Sequence, residues 1–242
     1  TEIRSLIPNI MIIDDLADRK HDCDILLDQN YYIEGPLRYK QLVPTNCQLL
    51  IGPKYALLRN EFIKFHNLPI IFGQEWFNIL VFYGGSDPTN ETLKMINVIK
   101  QLGISNLSAH IVVGPSNPNA KIIKEACNDD RFIFHYNINY MAKLMYETDI
   151  ALCAGGSTTW ERYCVGLPGI VTAVAQNQIE LCENLQFLGI DKYTGVSEFV
   201  NKQVIQKELK SFLLDKSYLK RKELAKSIVD GKGKLRVIKK IM

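Results

Sequence analysis

Residues 149–178 read DIALCAGGSTTWERYCVGLPGIVTAVAQNQ. An apolar run stops at Gly155 and Gly156. Three hydroxyl side chains follow, Ser157, Thr158 and Thr159, and Trp160 and Glu161 then open a segment of helical period. Pro168 to Val174 is a second short apolar run, and Asn177 and Gln178 lie just beyond it. Short apolar runs that end in glycine or polar residues, separated by helix-period segments, predict buried strands of a parallel sheet with helical crossovers.

The same rhythm reaches back to Asn78. Residues 78–85 predict a strand ending in glycine, and residues 86–103 an amphipathic helix closed by Gly103. Strands are predicted at 110–116 and 131–137, with helices at 117–130 and 138–149. This alternation implies a doubly wound α/β sheet, whose ligand lies beyond the carboxyl ends of its strands. The front of the chain differs. Residues 7–19, 23–30 and 47–62 each begin apolar and end polar. They leave little room for the crossovers of about a dozen residues that parallel strands need. This part reads as an incomplete sheet, and residues 66–76 as a linker. The expected units are 1–72, the remainder of an N-terminal Rossmann-like domain with its linker, and 73–242, a C-terminal Rossmann-like domain.

The 242 residues are 47% hydrophobic and 23% charged, enough for one large or two modest globular domains. A net charge of +3 does not make nucleic acid the expected partner. The basic run at 215–240 reads as solvated helix faces, with a membrane surface or a polyanion as the alternative. None of the six cysteines forms a C-x-x-C pair, and the four histidines show no ligand spacing. Free thiols in a reducing cytoplasm are therefore expected, with no metal and no cofactor. No apolar run approaches the roughly 20 residues of a membrane span, and nothing resembles a signal peptide. The chain begins with Thr, which fits a piece of something longer.

Three strand ends carry candidate chemistry. Gly84, Gly85, Ser86 and Asp87 either bring backbone close to an anion at a helix start or form a tight turn capped by Ser86 or Asp87. Gly114, at the end of the next strand, joins that set. Gly156, Ser157, Thr158 and Thr159 offer N–H and hydroxyl groups to phosphate oxygens, aided by the helix dipole. Glu161, one turn on, repels phosphate but suits the two hydroxyls of a ribose. Asn177 and Gln178 offer amide donors and acceptors to a sugar. Helix capping is the alternative at each place. Asp14 and Asp15 end the first strand as turn residues or as a paired-acid site. Asp15 and Asn177 are the catalytic candidates. Tyr55 and Arg59 receive no role.

The block 136–178 resembles the C-terminal domain of glycosyltransferase-B-fold proteins that bind uridine diphosphate (UDP) sugars, and is similar to the peptidoglycan N-acetylglucosaminyltransferases. The resemblance implies that Tyr140, Met141 and Ala142 lie under the uracil, that Ser157 to Thr159 hold the pyrophosphate, and that Glu161 holds the ribose. MIIDDLADRKHDCDILLDQN (11–30), LIGPKYALLRNEF (50–62) and VFYGGSDPTN (81–90) resemble the UDP-2,4-diacetamido-2,4,6-trideoxy-β-L-altropyranose hydrolases of pseudaminic acid synthesis and their spore-coat polysaccharide relatives. This implies a glycosyltransferase-B-type fold, a UDP-sugar substrate, and metal-free hydrolysis at the anomeric carbon. That family begins with a G-x-G-H-x-x-R segment bearing the catalytic histidine, and a D-H-Y segment follows later. Neither is in this sequence, and His21 belongs to a different motif. The resemblance places the base in that segment. It also implies an open sheet edge that pairs with the rest of the N-terminal domain or with another copy. A glycosyltransferase on the same scaffold and a non-catalytic UDP-sugar-binding fragment are the alternatives.

Overall fold

A computed structural model describes residues 2–71, 77–215 and 217–242. The expected boundary at 72–73 lies outside these residues, as does the end of the expected linker. Two parallel sheets organise the chain. The first has the order β1-β2-β3, from Met11–Ile13, Ile25–Asp28 and Gln48–Ile51. Met11 pairs with Ile25, and Ile25 with Gln48. No α-helix connects these strands; the second crossover holds only a 3-10 turn at Gly35–Tyr39. Leu26 and Leu27 in the central strand are fully buried.

Helix α1 (Asn60–His66) leads to the second sheet. Its elements are β4 (Phe77–Phe82), α2 (Glu91–Lys100), β5 (Leu107–Val113), α3 (Ala120–Ala126), β6 (Phe132–Tyr136), α4 (Met141–Glu147), β7 (Ile150–Ala154), α5 (Thr158–Val165), β8 (Gly169–Ala173), α6 (Gln176–Gln186) and β9 (Lys192–Val196). The order is β6-β5-β4-β7-β8-β9, all parallel. Side chains alternate across it, as the period-2 geometry of strands requires. Ile79 and Val81 join Met95, Ile99 and Leu209 on one face. Leu80 and Val112 join Met145, Trp160 and Leu185 on the other. The doubly wound sheet read from the sequence is thus present.

Helices α7 (Lys202–Leu213), α8 (Tyr218–Ile228) and α9 (Gly233–Ile241) close the chain. The last returns to the first sheet, where Val237 packs with Leu27 and Leu50. A Cβ on Gly233 would stand 2.3 Å from Ala56 O, so only glycine permits this approach. Part of the basic run is not a solvated face. Lys222 is buried and donates to Ile71 O and Thr148 O, and burial lowers its ammonium to about 8. Lys226 donates to Leu68 O, and Arg236 to Lys54 O. These cations hold the segment between the sheets. No helix among the described residues is long and apolar enough to cross a membrane.

Candidate functional site

The strand order fixes where a ligand can enter. Connections from β4 run one way along the sheet and those from β7 the other, so a crevice opens between their carboxyl ends. The glycine pairs Gly84-Gly85 and Gly155-Gly156 stand at those two ends. The 84–90 loop holds three left-handed residues, Gly84, Asp87 and Asn90, at φ 86°, 44° and 54°. Such a conformation is strained for Asp and Asn and free for glycine. A Cβ on Gly114 would meet the Gly85 backbone at 2.6 Å, and one on Gly155 would meet Cys182 Sγ at 2.0 Å. Both glycines allow close packing behind the crevice. Gly84, Gly85 and Gly156 face open space, with no atom closer than 3.7 Å to an added Cβ.

A cavity of about 440 Å³ lies between the two sheets. Ile13, Asp14 and Asp15 line it from the end of β1, and Gln29 and Asn30 from the end of β2. Gly155, Gly156 and Ser157 line it from the end of β7, and Asn177, Gln178 and Leu181 from α6. The strand ends that the sequence singled out at Asp15, Gly156, Ser157, Asn177 and Gln178 therefore meet in one place. Helices α5 and α6 both begin on this wall, and neither has a side-chain cap bond at its start. Their first N–H groups supply positive potential to the cavity. The Gln178 amide oxygen accepts from Val174 N at 3.0 Å, which turns its nitrogen toward Gly156.

The acid pair divides into two environments. Asp14 is buried, and its carboxylate accepts from Ala17 N at 3.1 Å and Leu16 N at 3.5 Å, with His21 Nε2 at 3.4 Å. Burial pushes its carboxyl up, but these neighbours outweigh that and hold it below the usual range. Asp14 thus shapes the turn, which carries Ala17 at φ 51°. Asp15 is exposed on the cavity wall.

Other expected residues lie elsewhere. Asp87 is buried, and its two oxygens accept from Glu91 N and Thr92 N, both at 2.9 Å. It caps the first turn of α2, the capping alternative that the sequence offered for it. Gly114 backs the Gly84-Gly85 turn and is likewise not a wall residue. Ser86 is exposed on the loop. Thr158 is half-buried, while Thr159 is wholly buried and its hydroxyl has no partner among the described residues. Met141 and Ala142 belong to the core beneath the start of α4. Tyr140 is half exposed, and its hydroxyl meets His135 Nδ1 at 3.0 Å. Glu161 lies one turn behind Ser157, outside the cavity wall, and pairs with Arg59. Burial raises its carboxyl and Arg59 opposes that shift.

Sequence reasoning missed Gln29 and Asn30, because polar residues after a strand read as a turn. Asn30 Oδ1 accepts from Trp160 Nε1 at 3.2 Å, joining the first sheet to α5. No group of three or more His, Cys, Asp or Glu among the described residues is arranged to hold a metal ion.

A fold with two parallel sheets meeting at a cleft is that of the glycosyltransferase-B proteins, and the similar solved structures bear this out. MurG of Acinetobacter baumannii superposes with a TM-score of 0.67 at 14% identity, covering 98% of this chain and 67% of that one. A UDP co-structure of MnaA from S. aureus superposes with a TM-score of 0.53 at 16% identity, covering 76% and 48%. Among curated relatives, the chain is similar to the spore coat polysaccharide biosynthesis protein SpsG of Bacillus subtilis. The two are 27% identical over 210 residues, 85% of this chain and 61% of that protein. It is also similar to the UDP-2,4-diacetamido-2,4,6-trideoxy-beta-L-altropyranose hydrolase of Campylobacter jejuni, 31% identical over 143 residues, 57% of this chain and 48% of that protein. The chain thus spans about three fifths and about half of these two relatives. No protein-family model matches it.

Proposed function

We propose that this chain carries the UDP-binding half of a nucleotide-sugar hydrolase that releases UDP and a free 2,4-diacetamido-trideoxy hexose. The observation that supports this reading best is the cavity between the carboxyl ends of the two sheets. Two uncapped helix starts and Gly156 face it from one side, and the Gln29 and Asn30 amides and the Asp15 carboxylate from the other. The helix starts and the Ser157 hydroxyl suit the pyrophosphate. Gln29, Asn30, Asn177 and Gln178 suit the hydroxyl and acetamido groups of a sugar. The similarity to the Campylobacter hydrolase gives the sugar class.

In the proposed reaction water adds to the anomeric carbon, the bond from that carbon to the β-phosphate oxygen breaks, and UDP departs with the bonding electrons. One proton of the water passes to a base. Asp15 is the candidate in this chain to receive or relay it, and Asn177 is the candidate to orient the sugar or the water. Cytoplasmic action on a soluble sugar nucleotide fits this reading.

A second reading, transfer of the sugar to an acceptor hydroxyl, is supported by the glycosyltransferases among the similar solved structures. Incubation with the UDP-sugar in ¹⁸O-water separates the readings. Hydrolysis releases UDP without any acceptor and places ¹⁸O on the sugar. A transferase releases UDP only when an acceptor is added. UDP binding with no release under either condition would leave a binding half whose base lies in another segment or chain.

A further inference from the structure

The thiols of Cys23 and Cys47 meet in the small sheet, Sγ to Sγ at 3.6 Å. Cys23 stands two residues before β2 and Cys47 one residue before β3. These strands pair in parallel, Ile25 with Gln48, and Asp24 O accepts from Gln48 N at 2.8 Å. The ladder therefore holds the two cysteines side by side at the amino ends of the strands. Cys23 is buried against Leu26 and Tyr39, while Cys47 is only partly buried and open to a small reagent. Burial pushes the Cys23 thiol up to about 12 and the Cys47 thiol up as well. Weakly acidic thiols react slowly, which suits a structural pair rather than a catalytic one. Neither residue lines the cavity.

We propose that Cys23 and Cys47 are a disulfide-forming pair, a reversible modification site that staples β2 to β3. The bond length of about 2 Å is reached by a movement of about 1.5 Å, within the range of side-chain torsions. The oxidant is a small disulfide such as oxidised glutathione. The Cys47 thiolate attacks one of its sulfurs and releases one small thiolate. The Cys23 sulfur, giving up its proton, then attacks the mixed disulfide at the Cys47 sulfur and releases the second. The two cysteines lose two electrons and two protons together, and the reagent becomes two thiols. The cysteines lie 24 positions apart, and closing that loop removes freedom from the unfolded chain. The sheet has three strands with no α-helix between them, and its core is small. Small cores gain most from such a staple. The bond lies at the end of the sheet opposite Gln29 and Asn30, so it firms that wall of the cavity without touching it.

The test treats the folded full chain with oxidised glutathione, then labels the remaining thiols with iodoacetamide in urea. Two fewer cysteines are expected to take the label than in the reduced chain, and non-reducing peptide maps should join Cys23 to Cys47. The melting midpoint is expected to rise by about 5–10 °C and to return with dithiothreitol. Cys47→Ser should show neither change. By linkage, folding favours the bond as much as the bond favours folding. Half oxidation is therefore expected at a glutathione ratio at least about tenfold more reducing in the folded chain than in urea. If Cys47→Ser does not fold, the peptide map and the ratio in the wild-type chain decide alone. A folded chain that keeps all its thiols, holds only a mixed disulfide with glutathione, or joins other cysteines overturns the proposal. So does a bond that forms no more readily in the folded chain than in urea, or one that leaves the midpoint unchanged or lowers it.

Discussion

Trp160 donates its indole N–H to the side-chain oxygen of Asn30 at 3.2 Å, and both residues are buried. Asn30 lies two residues past the central strand of the small sheet, and Trp160 lies in the first turns of the helix that follows the Gly155-Gly156 turn. One bond therefore holds two walls of the cavity in register. Asn30→Ala leaves the indole N–H unpaired in an apolar surrounding, at a cost of about 1–3 kcal/mol. Denaturant unfolding measures it as a lower midpoint at unchanged slope.

Ser157 and Asp87 begin similar helices but do different work. The Ser157 side chain makes no cap bond, while Asp87 accepts from two backbone N–H groups. Ser157→Ala is expected to change stability by less than about 0.5 kcal/mol. Asp87→Ala is expected to cost about 1–2 kcal/mol through the lost cap. Thermal melts of the two variants side by side test the contrast, and equal losses would contradict it.

Arg162 is fully buried and makes a two-pronged pair with Asp191, at 3.0 and 2.7 Å. Asp191 also accepts from the Tyr163 hydroxyl and Gly169 N. Asp191→Ala strands the guanidinium and is expected to cost about 3–5 kcal/mol. Arg162→Met with Asp191→Leu removes both charges together and should recover much of that loss. Unfolding free energies of the single and double variants check it.

The pH dependence of stability has an unusual contribution from Asp28. Burial pushes its carboxyl up from 3.8 to about 6, against the pull of Asn30 N–H, the Tyr39 hydroxyl and Arg38. Between those values the folded chain keeps the proton and the unfolded chain has released it. This contribution therefore falls as pH rises from about 4 to about 6, by roughly 2–3 kcal/mol, and is flat above. Asp28→Asn removes that slope. Urea unfolding of both chains across the window should show the variant gaining on the wild type as pH rises.

Much of this architecture was legible in the sequence. β4, β5, β7 and β8 were readable because each is a short apolar run closed by glycine or amides, a pattern set by burial on both faces. β9 was not, because all five of its residues are only partly buried and KYTGV lacks that signature. The cavity wall from β7 and α6 was readable, since glycines, a hydroxyl and amides coincide at strand ends. The sequence left Asp87 between two readings because a buried cap and a ligand-facing acid look alike until the loop conformation is known. Lys222, Arg236 and Arg59 were opaque for a different reason. Their partners lie 151, 182 and 102 residues away, and no local pattern records such contacts.

The central claim is that the cavity between the two sheets, beyond the end of β7, holds a nucleoside diphosphate. Calorimetric titration of the folded chain with UDP tests it most directly, with Ser157→Ala alongside. The account predicts one saturable site, weakened about tenfold by the loss of the hydroxyl. A folded wild-type chain that takes up no UDP, or a Ser157→Ala chain that binds it unchanged, would contradict the account.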